Sequence, residues 1–349
     1  MDQTSPSALA REFGSLWKEY RPTRLIESPV LAERVEVARV FLKLEAERPL
    51  GNFKVLGGMI AGLRALARFE IASVNERLPS LICASDGNHG LAVAAAAARA
   101  RTGAIVYLPS SAKSLRTRRI ELVGGQVIRV DGTYDAAVFA ASEAARAGQG
   151  LLVPDTSHDP HDPVLKDVMA GYALLGEELL SQFRDEDVAW PTHVFVQAGV
   201  GGLAAALTDA LHDVMQSPKS IVVVEPEAAA CVARGLTAGR PVRIDGKLET
   251  AAEMLSCGLA SAHALQTLSR HAARSVLVSE PELGEAVRVL HQAERIETTA
   301  SGAAGLAGLL HVSTCGALRS QHQLDYSSHV LLVVTEGPLQ QLPDHGDDL

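Results

Sequence analysis

Four short segments hold residues whose types and spacing could do chemistry on a small polar molecule. In RPLGNFKVLGG (48–58), Lys54 stands just ahead of an apolar helical stretch. A helix N-terminus disfavours a cation, so an amine held there can shed its proton and act as a nucleophile. In SDGNHG (85–90), Gly87 and Gly90 permit close backbone approach. Amides at the start of the helix that follows suit a carboxylate or phosphate. QAGVGGLAAAL (197–207) has neither the GK[ST] ending of a Walker loop nor GxGxxG spacing, which leaves a compact cradle of backbone amides for an anion. In VVTEG (333–337), Thr335 offers a hydroxyl to a buried heterocycle nitrogen. Taken singly, each segment also reads plainly as structure: a solvated lysine, a capped turn, a strand–turn–helix link, a strand end.

The elements that must position these residues alternate. Strands are expected at 78–85, 104–110 and 126–132, with helices at 87–103, 111–124 and 134–148 between and after them. Further aliphatic runs fall at 192–199, 220–227, 274–280 and 327–337. Strands that are apolar throughout, separated by helices, predict parallel sheets covered on both faces, an α/β fold. The long segment 150–190 separates two strand clusters, so two domains are expected: 78–151 as a small mobile domain, and 1–77 plus 152–349 as a large one. In open α/β sheets, ligands collect at the carboxyl ends of strands. The glycine loop and Thr335 both stand at such ends, and so does SDGNHG.

The chain has 349 residues, 47% apolar and 21% charged, with 32 Lys and Arg against 41 Asp and Glu and a net charge of -9. An acidic balance argues against nucleic acid as a partner, and the basic run Arg116–Arg119 is expected to be a solvated helix face. No stretch reaches the roughly 18 apolar residues needed to span a bilayer, so no membrane partner is expected. The N-terminus shows no secretory signal. Four cysteines without a CxxC pair suit a reduced, cytoplasmic protein. HDPHD (158–162) imitates a metal cluster, but its proline implies an extended loop and no metal is expected there.

Taken together, GNFK, SDGNHG, the glycine loop and the strand-final threonine resemble the fold-type II pyridoxal-phosphate enzymes, the tryptophan synthase β-like superfamily. VPDTSH (153–158), GYALLGEEL (171–179), PTHVFVQAGVGGLAAAL (191–207), VVVEPEAAACVARG (222–235), MLSCGLAS (254–261) and ASGAAGLAGLL (300–310) extend the likeness over residues 20–340. Within the superfamily the sequence is most similar to the diaminopropionate ammonia-lyase branch. It departs from the frequent GSFK by Asn52, and from the frequent Arg-Gly-Ala after the lysine by Val-Leu-Gly-Gly.

The resemblance implies two open-sheet α/β domains, pyridoxal 5'-phosphate as cofactor, and a homodimer. It implies that Lys54 carries the cofactor, Phe53 packs beside its ring, and Asn88 hydrogen-bonds its phenolate oxygen. Gly199, Val200, Gly201 and Gly202 would hold the phosphate, and Thr335 would face the pyridine nitrogen. Ser85, Asp86, Gly87 and His89 would hold the substrate carboxylate. Asp86, where relatives carry a small residue, suits an ammonium or a second base opposite Lys54. Asp155 would add a further negative charge near a β-ammonium, or simply make a turn. The implied activity is α,β-elimination from a small β-substituted amino acid, 2,3-diaminopropionate foremost, giving pyruvate and ammonia. Alternatives on the same fold are a serine/threonine or hydroxyaspartate dehydratase, a β-replacing synthase, or a sensor without turnover. Cys231 and Cys257 lie in loops that the resemblance brings near each other, and a reduced compartment favours free thiols.

Overall fold

The computed structural model describes residues 8–17, 20–73, 76–85, 87–155, 162–185 and 188–339. Its strands are β1 (Leu25–Glu27), β2 (Arg39–Leu44), β3 (Leu81–Ala84), β4 (Ala104–Pro109), β5 (Gly125–Val130), β6 (Leu151–Leu152), β7 (His193–Gln197), β8 (Ser220–Pro226), β9 (Arg274–Val278) and β10 (His329–Val334). They form two sheets, one ordered β5-β4-β3-β6 and the other β1-β2-β10-β7-β8-β9. All pairings are parallel except β1 with β2 at one edge. Strands β3 and β7 are buried at every residue, as parallel strands covered on both faces must be.

Two compact units emerge. One takes in the described residues of Met1–Arg21 and Phe53–Leu174, and carries the four-stranded sheet; the other takes in Pro22–Asn52 and Leu175–Pro338 and carries the six-stranded sheet. The first unit is wider than the segment 78–151. It includes Lys54, which the sequence reading placed with the large domain, because the helix Lys54–Ala72 packs against the helix Asn88–Arg99. The contact depends on missing side chains. A Cβ on Gly58 would lie 2.5 Å from the Ala92 methyl, and one on Gly62 would lie 2.9 Å from that of Ala96. Gly57 gives way to Tyr172 in the same manner, at 2.6 Å. The Gly-Gly pair after Lys54 is thus a packing device.

In the second unit, a buried ionic cluster ties the early strands to the later chain. Lys43 pairs with Glu178 at 2.7 Å, and Arg48 pairs with Glu45 at 2.6 Å and Glu178 at 2.8 Å. Thr23 donates its hydroxyl to Glu45 and accepts at its carbonyl from Lys43. Buried charges persist only when paired in this way. The helix Ala300–Ser313 lies close on the sheet because Gly305 and Gly308 leave room for Phe195 and Val224.

Among the described residues, no single helix is long and apolar enough to cross a membrane. None of Cys83, Cys231, Cys257 and Cys315 is in a disulfide.

Two glycine substitutions should move stability in opposite directions. Gly58→Ala forces a methyl into Ala92 and should cost about 1 kcal/mol or more, despite its better helix propensity. Gly284→Ala, in the exposed face of the helix Glu280–Glu294 with nothing within 4 Å of its Cβ, should gain about 0.5–1 kcal/mol. Denaturant midpoints of the two variants check both signs.

Candidate active site

Lys54 is the first residue of its helix, where the dipole opposes its charge. Asp155 answers that opposition. The Lys54 Nζ donates to Asp155 Oδ2 at 2.8 Å, and the Tyr134 hydroxyl donates to Asp155 Oδ1 at 2.5 Å. Burial works against ionising Asp155, but the charge of Lys54 and these two hydrogen bonds prevail. They hold its carboxyl well below the usual carboxylate range. Asp155 therefore stays ionised. Burial pushes the Tyr172 phenol up, countered by the charge of Lys54, and its ring packs against Phe53 with centroids 5.2 Å apart. The sequence reading gave neither Tyr134 nor Tyr172 a role; each stands in a helix with no local signal of chemistry.

The SDGNHG segment turns sharply into its helix. Gly87 has φ +144°, which side-chain-bearing residues rarely adopt. The buried Ser85 Oγ accepts from the N–H groups of Gly87 at 2.9 Å and Gly90 at 2.8 Å. It thereby caps the helix and keeps its own proton for an outside acceptor. Asn88 is buried at the first helical position. His89 spends Nε2 on the Val153 carbonyl at 2.8 Å, and burial keeps its pKa low, so it is neutral. Asp86 lies outside the described residues. So do residues 158–161 of HDPHD; its Asp162 accepts from the Val164 amide. No metal-binding cluster occurs among the described residues.

The basic run Arg116–Arg119 corrects an expectation. Arg116 and Arg119 are 4% and 8% exposed, and only Arg118 faces solvent. Their spacing of three puts both on the inner face of one helix. Arg116 lies so close that a Cβ on Gly87 would meet its Cδ at 2.9 Å. A positive charge thus backs the segment expected to hold a carboxylate. The i, i+3 spacing was the available signal.

In the second unit, the glycine loop leaves the end of β7. Gly201 has φ +95°, and a Cβ on Gly199 would sit 3.0 Å from the Cys257 sulfur. On the same glycine, the Cys231 thiol donates to the carbonyl at 3.2 Å. Cys231 and Cys257 thus flank Gly199 as buried thiols, neither of them in a disulfide. Cys231 is placed by Glu225, fully buried at the end of β8, which accepts from Val232 and Ala233 amides at 2.7 Å. Burial pushes the Glu225 carboxyl up to about 8, although both amides pull it down. Thr335 follows β10, beside Gln197 at the end of β7. Its hydroxyl accepts from Gln197 Nε2 at 2.9 Å.

Comparison with known proteins fits this geometry. A family model described as pyridoxal-phosphate dependent enzyme matches residues 16–336. The chain belongs to that family. It is 31% identical to the diaminopropionate ammonia-lyase of Escherichia coli (strain K12), over 95% of this chain and 88% of that protein. The crystal structure of the E. coli enzyme in complex with an aminoacrylate-PLP azomethine reaction intermediate superposes with a TM-score of 0.84 at 29% identity, covering 95% of this chain and 88% of that one. The L-threonine ammonia-lyase of Thermotoga maritima is 27% identical over 83% of this chain and 67% of its own length.

The residues present fit the family's cofactor. Among the described residues, the N–H groups of Gly199, Val200, Gly201 and Gly202 donate to no carbonyl, so they are available to a phosphate. The loop has no space for larger side chains at Gly199 or Gly201.

Asp155 should also make stability depend on pH. Its folded pKa is depressed, so its contribution is complete above the unfolded value of about 4 and disappears as pH falls through the lower folded value. The stability gap between the unsubstituted protein and Asp155→Asn should be constant above about pH 5 and close on acidification. Urea titrations at several pH values measure it.

Proposed function

We propose that this pyridoxal-phosphate-dependent enzyme is an ammonia-lyase that removes the β-amine of 2,3-diaminopropionate, giving pyruvate and ammonia. Asp155 is the observation that carries the reading. A β-ammonium leaves as neutral ammonia, taking the bonding electron pair, and needs no proton from the protein. A β-hydroxyl needs an acid. Asp155, held ionised between Lys54 and Tyr134, suits attraction of an ammonium and is poorly poised to donate a proton. The greater likeness to diaminopropionate ammonia-lyase than to L-threonine ammonia-lyase supports the same choice.

Lys54 would carry the cofactor, with Phe53 and Asn88 beside it. Gly199, Val200, Gly201 and Gly202 would bind its phosphate, and Thr335 would meet its pyridine nitrogen. When bound, pyridoxal phosphate stabilises the negative charge left at the substrate Cα. The chain's own residues do the rest. The Ser85 hydroxyl and the start of its helix bind the substrate carboxylate, with Arg116 behind them. The Lys54 amine would remove the Cα proton of the L-enantiomer. Asp86 serves as base on the opposite face and pairs with substrate ammonium. The enzyme is taken to act as a homodimer in the cytoplasm. The buried free thiols support a reducing compartment, and the homodimer rests on the family resemblance.

Borohydride reduction of the holoenzyme followed by peptide mapping should place the pyridoxyl adduct on Lys54. Lys43 is locked in its buried ion pair and Lys166 is exposed on a helix, so an adduct on either would refute the assignment. Lys54→Ala should abolish turnover of the L-substrate.

Asp86→Asn should lower kcat/KM for D-diaminopropionate by roughly 10²–10⁴-fold, the usual scale for a general base, and spare the L-enantiomer by comparison. Equal losses for both would rule out a second base.

A further inference from the structure

Thr335 is 3% exposed, yet the protein offers its proton almost nothing. A hydroxyl has one donor and two acceptor positions. Gln197 Nε2 occupies an acceptor position at 2.9 Å. The acceptor in line for the Thr335 proton is the Ser301 carbonyl at 3.5 Å, well beyond the usual 2.5–3.0 Å range for such bonds. A buried donor left this way costs free energy unless another acceptor reaches it.

The Gln197 amide cannot turn round. Its nitrogen lies 3.1, 3.0 and 3.1 Å from the carbonyl oxygens of Ser301, Gly302 and Val333, besides the Thr335 hydroxyl. Reversal would set its oxygen against three carbonyls. Gln197 Oε1 instead faces Gly305, where a Cβ would come within 2.9 Å. The backbone at Thr335 is pinned as well. The Thr298 hydroxyl donates to the Glu336 carbonyl at 2.6 Å, and the Thr299 hydroxyl bonds the Glu336 carboxylate. Parallel pairing of β7 with β10 puts the two strand ends side by side.

We propose that Gln197 is a positioning residue that commits the Thr335 hydroxyl to donate, so that the pyridine nitrogen of the cofactor is held as an unprotonated acceptor. The inference rests on the reading above, that Thr335 meets that nitrogen. An unprotonated ring draws less charge from the substrate Cα, and expulsion of the β-group then competes better with reprotonation. Were Gln197 absent, the lone pair that now accepts from its Nε2 would be left open to a donor. The ring nitrogen would then bind a proton and become the donor. A merely structural amide would leave the ring's protonation unchanged.

The test is the ¹⁵N chemical shift of holoenzyme reconstituted with pyridoxal phosphate labelled at the ring nitrogen. The unsubstituted enzyme should show an unprotonated, hydrogen-bonded pyridine nitrogen across the neutral pH range; a pyridinium shift overturns the proposal by itself, without any variant. In Gln197→Met the signal should move to the pyridinium position. Thr335→Val separates the two levels of the argument. If its signal moves and that of Gln197→Met does not, Thr335 meets the ring but Gln197 does not direct it. If neither moves, Thr335 does not meet the ring nitrogen, and the reading beneath the proposal fails as well. Should Gln197→Met not fold, Gln197→Leu is read in its place, with the same shift expected.

Discussion

Lys54 sits at the end of a helix where the backbone dipole opposes a positive charge, and Asp155 holds it there. The pair is a constraint on everything around it. The helix bearing Lys54 must lie close enough to its neighbours for the amine to reach the loop after β6. Gly57, Gly58 and Gly62 make that approach possible against Tyr172, Ala92 and Ala96. Tyr134 then completes the carboxylate's hydrogen bonding and keeps it charged. Removing the carboxylate would leave a half-buried cation facing helix N–H groups. Removing the glycines would move the cation itself.

On the proposed reading the second unit answers a different requirement: an anion and a heterocycle nitrogen would be met by backbone and hydroxyl groups without a formal positive charge. Parallel strands suit this, because their carboxyl ends lie together and feed directly into helix N-termini. The glycine loop after β7 and Thr335 after β10 come from neighbouring strands. Support comes from behind, through Glu225 setting Cys231 under Gly199 and Gln197 holding Thr335. None of the supporting groups is exposed, so each acts by geometry.

Much of this was legible in the sequence, for physical reasons. Glycines in a strand–turn–helix link have few explanations, and aliphatic runs separated by helices admit few folds. Strand β2 was not legible, because RVFLKL carries two cations. Lys43 is buried against its ion-pair partner Glu178, 135 residues away, and no local pattern reports such a pair. Strand β6 is two residues long and escapes any periodicity. Arg116 and Arg119 looked solvated because a short basic run usually is. Gln197 falls inside the aliphatic run 192–199 with no role of its own, and its partners come from two distant segments. Asp155 was read as either a turn residue or a charge near substrate, and only its bonds to Lys54 and Tyr134 show what it touches.

The central claim is that an ionised Asp155 serves a leaving group that is already protonated. The ratio of ammonia to pyruvate released by the purified holoenzyme from a mixed pool of 2,3-diaminopropionate, serine and threonine tests it most directly. Elimination from diaminopropionate releases ammonia twice over for each pyruvate, once from Cβ and once when the product hydrolyses. The account predicts that twofold ratio, with little ketobutyrate. Equal amounts of ammonia and pyruvate, or ketobutyrate as the main product, would contradict it and mark a β-hydroxyl as the true leaving group.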